Sequence, residues 1–341
     1  MLDLLQKDRE LWDLFTRKEE YQSGIRDRFD RFPYYASSSR TVFEPKVSEY
    51  LNKHGYHFEY PDSRRFAVCL THDIDEVYTS ALQKAVSSLR NLRHGLLSGF
   101  SDSIVQMQSK KMPLWNFDNI LALEEQYDST SSFYFMAENS GQQDYAYQIE
   151  DCEQAVGNII DRGFEVGLHG GHSAYLNPDE LKSKKAHLEK VLNKKVVGYR
   201  NHFLRFKVPE TWEHLHESGF LYDTTFGYAD CIGFRNGMCH PFNPYNLLTG
   251  KSVEILEIPL TIMDDTLYNY MKLDPRKAWE ITRMLIDVVE RNNGVLTVLW
   301  HNYNFFGDHL DFYKKILNYC KEKNAWMTNG EQISSYLKSH G

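Results

Sequence analysis

Residues 66–75 read FAVCLTHDID, an apolar run that closes on two acids one residue apart. In an extended strand successive side chains point to opposite faces, so Ala67, Cys69, Thr71, Asp73 and Asp75 share one side, while Phe66, Val68, Leu70 and Ile74 share the other. Two carboxylates therefore converge on one spot. Like charges held that close resist joint ionisation, so a cation beside them or a shifted pKa is the expected resolution. His72 has the opposite parity and reads as a helix-facing or supporting histidine.

Six further apolar runs follow: SSFYFM (131–136), FEVGL (164–168), KVVGYR (195–200), FLYDTT (220–225), VEILEIPLTIM (253–263) and GVLTVLW (294–300). Helical stretches separate them, which argues for a parallel sheet or barrel. Seven runs over roughly 270 residues fit an α/β protein with a deformed or incomplete (β/α) barrel better than a small doubly wound sheet.

In such barrels active sites sit at the C-terminal ends of the strands, and several runs here end in polar clusters. EVGLHGGHS places His169 on the parity of Gly167, with two glycines that let the backbone turn beside a bound group. In VVGYRNHF, Arg200 and His202 share a parity, and Arg200 is suited to pair with a carboxylate of the first strand. VLTVLWHN ends on His301, whose residue type suits general acid or base work because its ordinary pKa lies near 6.5.

Outside the barrel, residues 1–64 read as a helical N-terminal extension, in which EPKVSEYLNKHG (44–55) has helical spacing and a glycine stop. Residues 65–341 form the barrel. An insertion at about 77–128 carries SALQKAVSSLRNLRHGLLSGF (80–100), an amphipathic helix expected to pack on the barrel, with a membrane surface as the alternative.

The composition narrows the class. With 341 residues, 42% hydrophobic and 14% aromatic, the chain has enough apolar material for one large core. A net charge of -8 argues against a sequence-independent grip on nucleic acid. The five cysteines, Cys69, Cys152, Cys231, Cys239 and Cys320, form no CxxC pair and are expected to be buried thiols. The start, MLDLLQKDRELWDLF, has no apolar core of a secretory signal, and no run is long enough to span a membrane, so a cytoplasmic protein is expected.

THDID, EVGLH, YRNHF, YDTT and LWHN resemble, in order, the five motifs of polysaccharide deacetylases, the NodB-homology family, over about residues 65 to 335. The resemblance implies a deformed barrel that hydrolyses N-acyl groups of amino sugars with one divalent metal ion. Zinc is the first choice, with cobalt, nickel, manganese or iron as alternatives. It further implies Asp73 as base, Asp75 and His169 as metal ligands, Arg200 as the arginine that orients the base, His301 as the acid, and Asp223 as the group that tunes His301.

The chain departs from that pattern where the family has His-x-x-x-His, because Ser173 stands four residues after His169. Two residues are candidates for the third ligand: His172, if a helical turn follows the strand, and His202, which shares the inward parity of Arg200. His202 is preferred on that geometry. A narrower resemblance, through LTHDIDE, GLHG, RNHFLRF and GFRNGMCHPF, is to a branch associated with capsule and cell-surface polysaccharide clusters. There Arg235, between glycines, is expected to meet an anionic group of the substrate.

The expected activity is metal-dependent removal of an N-acyl group, N-acetyl in first place, from an amino-sugar-containing small molecule or glycan intermediate of surface polysaccharide synthesis. The alternatives are a non-catalytic barrel that binds a sugar or a partner, and a metal-dependent hydrolase of small cyclic amides or imides.

Overall fold

The computed structural model describes residues 1–78 and 114–340. Nine parallel strands form the main sheet: β1 (Phe66–Ile74), β2 (Ser132–Met136), β3 (Glu165–Gly170), β4 (Gly198–Asn201), β5 (Tyr222–Asp223), β8 (Leu256–Glu257), β9 (Leu260–Met263), β10 (Val295–Leu299) and β11 (Ala325–Thr328). A small antiparallel pair, β6 (Tyr245–Asn246) with β7 (Lys251–Ser252), lies apart. The order β8-β5-β4-β3-β2-β1-β10-β9 makes β8 and β9 the two edges.

These edges are neighbours in sequence, separated only by Ile258 and Pro259, so one covalent segment joins the two sides of the curled sheet. The single run expected over VEILEIPLTIM is thus two strands. Pro259 cannot donate to a ladder, which ends one pairing before the next begins. The result is the deformed barrel expected from strand-helix alternation. β1 is its longest strand and pairs with β10 on one side. On the other side β11 covers its start, and β2 its end from Thr71 to Ile74.

Strand parity divides the packing into two layers. Phe66, Val68, Leu70 and Ile74 face the helices and join the large outer core. Ala67 and Cys69 face inward with Tyr134 and Tyr222. Glycines make room for these interior tyrosines: a Cβ on Gly167 would lie 2.5 Å from the Tyr134 ring. The tyrosine hydroxyls meet each other at 3.1 Å, and the Tyr222 hydroxyl donates to Glu165 at 2.6 Å. Burial raises the Glu165 carboxyl to about 7, against the hydrogen bonds of Ser132 and Tyr222. All five cysteines are buried.

The N-terminal segment is less helical than expected. It holds four short helices, Leu2–Leu5, Arg9–Phe15, Lys18–Gln22 and Lys46–Lys53, with an irregular stretch between the last two that includes Pro33. Gly55, at φ +84°, follows the last helix as a left-handed stop. Leu5, Phe15, Val47 and Leu51 join the barrel's own outer core, so the segment is packed into the molecule. No helix among the described residues is long and apolar enough to cross a membrane. The stretch 80–100 lies outside the described residues, and the later part of the insertion contains the helix Phe117–Glu125.

The segment is also held by a buried charge cluster that includes Arg235. Glu20 lies between Arg17 Nε at 2.8 Å and Arg235 Nη2 at 2.5 Å, and Arg235 Nη1 donates to the Gly227 carbonyl at 2.9 Å. Arg235 is 3% exposed, which corrects its expected role on a substrate anion. Its flanking glycines let the backbone of the N-terminal segment approach: Gly233, at φ +122°, abuts the Val42 carbonyl, and Gly237, at φ +73°, abuts Leu14 and Val47. Glu20→Ala leaves two buried guanidiniums without their shared carboxylate. A loss of about 3–5 kcal/mol in unfolding free energy is expected, read from denaturant melts against the unchanged chain.

Candidate metal centre and active site

Asp73 and Asp75 come to the C-terminal end of β1 on its interior face, and β3, β4 and β10 deliver basic groups to them. Arg200 is fully buried, donates from Nε to Thr224 Oγ1 and from Nη2 to Thr71 Oγ1, both at 3.0 Å, and sets Nη1 3.5 Å from Asp73 Oδ1. Neither Arg200 Nη1 nor Asp73 Oδ1 has a hydrogen-bond partner. A buried charged pair with one unspent donor and one unspent acceptor has capacity for a third polar group, such as a water.

His169, the last inward residue of β3 before the glycines, donates from Nδ1 to the Arg200 carbonyl at 3.0 Å. A carbonyl only accepts, so Nδ1 carries a proton, and Nε2 faces Asp75 Oδ1, 3.1 Å away. His202, one residue past β4, donates from Nδ1 to Asp144 Oδ2 at 3.0 Å and sets Nε2 3.7 Å from the same Asp75 oxygen. Ligand atoms of Asp75, His169 and His202 all lie within 4.8 Å of one another.

With neutral imidazoles these are three lone pairs aimed at one point, which a cation relieves. Ligands at about 2.0–2.1 Å from a tetrahedral ion stand about 3.3 Å apart, close to the separations of both histidines from Asp75. The donor set of one carboxylate and two imidazoles suits zinc and other divalent first-row ions. The structure therefore brings His202 into this set. His172 is not part of it: its carbonyl accepts from Arg205 and its ring lies edge-on to Phe203. The chain after Gly171 does not turn His172 back to Asp75, and Ser173 is exposed and donates to Glu180 at 2.8 Å.

The two glycines after His169 are explained by close approach, since neither has a positive φ. A Cβ on Gly170 would run into the Tyr199 ring, and one on Gly171 would lie 2.5 Å from Glu138 Oε1.

His301 enters from the opposite side, with Nε2 3.7 Å from Asp75 Oδ2. Its supporting carboxylate is Asp264, which accepts from His301 Nδ1 at 2.6 Å and from its backbone N–H at 2.8 Å. This corrects the expectation for Asp223. On the two-residue strand β5, Tyr222 takes the interior face and Asp223 faces the helical layer. There it accepts from Thr225 at 2.6 Å and lies beside Glu257, whose other oxygen accepts from Trp212 at 2.7 Å. Burial lifts the Asp223 carboxyl to about 6 and pushes Glu257 well above its ordinary range, as expected for two buried acids sharing one proton.

Charge in the site follows from these pairings. Burial opposes ionisation of Asp75, but the charge of His202, the hydrogen bond of His169 and the charge of His301 outweigh it and hold the carboxyl well below its usual range. Burial likewise opposes protonation of His301. Asp264, by charge and hydrogen bond, together with Asp75 and Asp73, pushes it up to about 10.

Two carboxylates of the site carry no motif signal. Asp144 lies in the loop after β2, 58 residues before its partner His202. Asp264 follows β9 at a strand end, which is the one sequence feature it shares with the motif residues. A register shift between Thr297 and Val298 in the β9–β10 ladder precedes it, and such irregularities re-aim the side chains that follow.

A test of the His301–Asp264 pair is the titration of the imidazole in metal-free protein, followed by NMR. The ring is expected to stay charged through neutral pH and to lose its proton near pH 10. In Asp264→Asn the midpoint should fall by more than one unit. The folded value lies above the ordinary one, so the pair's stabilisation is present below about pH 6.5 and is lost as pH rises through about 10.

No protein-family model matches the chain, and no curated protein is significantly similar to it. Among solved structures, it is similar to a protein assigned as a polysaccharide deacetylase from Mycobacterium smegmatis, with a TM-score of 0.56 and 18% identity over 83% of this chain and 94% of that one. The peptidoglycan deacetylase PdaC of Bacillus subtilis gives a TM-score of 0.41 at 12% identity, over 82% and 95% of the two chains. A CE4 family pseudoenzyme of Bacillus anthracis gives 0.41 at 12%, over 81% and 66%. At these identities a likeness speaks for the fold. The chain has the fold of the polysaccharide deacetylases.

Proposed function

We propose that the protein is a metal-dependent deacetylase that hydrolyses the N-acetyl group of an amino sugar. The preferred substrate is a small or carrier-linked intermediate of surface polysaccharide synthesis. The observation that carries the reading is the convergence of Asp75, His169 and His202, with Asp73 Oδ2 3.7 Å from His169 Nε2 and His301 Nε2 3.7 Å from Asp75 Oδ2.

Asp75, His169 and His202 would hold a divalent ion, zinc in first place, which would supply Lewis acidity toward the acyl oxygen and toward an attacking water. Asp73, beside the Arg200 guanidinium, accepts the proton of that water as its oxygen bonds to the acyl carbon. His301, held by Asp264 and protonated at neutral pH, gives its proton to the sugar nitrogen as the C–N bond breaks, so that the amine leaves neutral. Acetate and the free amino sugar are the products. The proton on Asp73 must pass to solvent or to His301 before the next cycle.

Amine release from N-acetylated sugars, measured together with elemental analysis of the gently purified protein, tests this reading. Asp73→Asn is expected to lower turnover by at least 100-fold while metal content is retained. His202→Ala should lose most of the metal, and His172→Ala should keep it. Full activity in Asp73→Asn, or undiminished metal in His202→Ala, overturns the assignment. Sugar binding without amine release would favour the non-catalytic reading that Ser173 suggests.

A further inference from the structure

His202 reaches the site from an unusual backbone. It follows the end of β4, and the next two residues, Phe203 and Leu204, both lie in the left-handed region at φ +59° and +54°. Side chains other than glycine seldom occupy that region, and two in succession need the surroundings to hold them. A histidine on a regular helix turn would be aimed by the helix. At this turn the aim has to come from contacts.

Two such contacts exist: one comes from the loop after β2, and the other runs through the adjacent Phe203 to the N-terminal segment. Asp144 Oδ2 accepts the Nδ1 proton of His202 at 3.0 Å, with an Asp144 side chain only 7% exposed. The Phe203 ring stacks on the His202 ring at 3.9 Å and 23°, and Phe29 stacks on Phe203 at 4.5 Å and 15°. Rings so near and so close to parallel place Phe203 between the other two. Arg31 fastens the same turn, donating from Nη1 to the Phe203 carbonyl at 2.8 Å while Asp27 holds its guanidinium at 2.6 Å.

We propose that Asp144 and the Phe29–Phe203 stack are positioning groups for His202, so that the loop after β2 and residues 27–31 of the N-terminal segment are working parts of the metal centre. The inference rests on Asp75, His169 and His202 being that centre. A carboxylate on the far nitrogen of a ligand imidazole fixes its tautomer and ring plane and makes the ligating nitrogen more basic. The stack then fixes rotation about the ring's remaining free axis.

The test is zinc affinity by chelator competition on the full chain, paired with the visible spectrum of the cobalt form, which reports ligand geometry without turnover. Asp144→Ala is expected to weaken zinc binding about 10- to 100-fold and to shift the cobalt bands. Asp144→Asn keeps an acceptor oxygen and should recover part of that loss. Phe29→Leu keeps apolar volume without a stacking face and should weaken binding several-fold while the circular dichroism stays unchanged. Wild-type affinity and an unaltered cobalt spectrum in Asp144→Ala and Phe29→Leu, with His202→Ala still losing metal, would refute the positioning roles and leave the centre standing. Absence of tight zinc binding in the wild-type chain would overturn the centre and this inference together.

Discussion

Two carboxylates sit side by side at the buried end of one strand, and the rest of the site is an answer to that arrangement. Asp73 is 3% exposed, and the Asp75 side chain is 16% exposed. Leaving both ionised without compensation is prohibitive in such surroundings. The neighbouring parallel strands supply the compensation at the same height: His169 and Arg200 are register partners across β3 and β4. Parallel pairing puts every C-terminal strand end at one face of the barrel, so charges far apart in sequence meet there without special connections.

The two halves of the site divide the work by the kind of support each basic group receives. Arg200 is fixed inside the barrel by threonine hydroxyls of β1 and the β5 end. His301 is fixed by a carboxylate that has four donors: its backbone N–H, its ring Nδ1, the Asn304 amide and the Asp265 N–H. A carboxylate so fully bonded is held ionised and immobile, and an imidazole beside it stays protonated. His169 faces a backbone carbonyl and His202 a lone carboxylate, so both leave a ring nitrogen open toward Asp75.

The N-terminal segment shows how a residue expected to serve substrate can instead be taken up by packing. The glycines around Arg235 mark a close approach. What approaches is the chain's own segment, and Arg235 is consumed in binding Glu20. Burying two guanidiniums against one carboxylate is strongly unfavourable unless every proton is used. Here the Arg17 and Arg235 protons find Glu19, Glu20, Tyr228 and backbone carbonyls.

From sequence alone the period of two along β1, β3 and β4 already determined a shared inward face for Asp73 with Asp75, for His169 and for Arg200, and the end of the last apolar run marked His301, whereas His202, past the end of β4, owes its aim to contacts. Strand-helix alternation likewise determined a parallel, barrel-like sheet, because period and alternation are local properties that the chain carries everywhere. Tertiary structure alone decided the partners. Asp144 reaches His202 across 58 residues, Asp264 displaces Asp223 at His301, and Glu20 claims Arg235. Partner choice depends on where loops and strand ends arrive in space, and a two-residue strand such as β5, or a shifted ladder such as β9 on β10, changes that arrival without leaving a periodic mark.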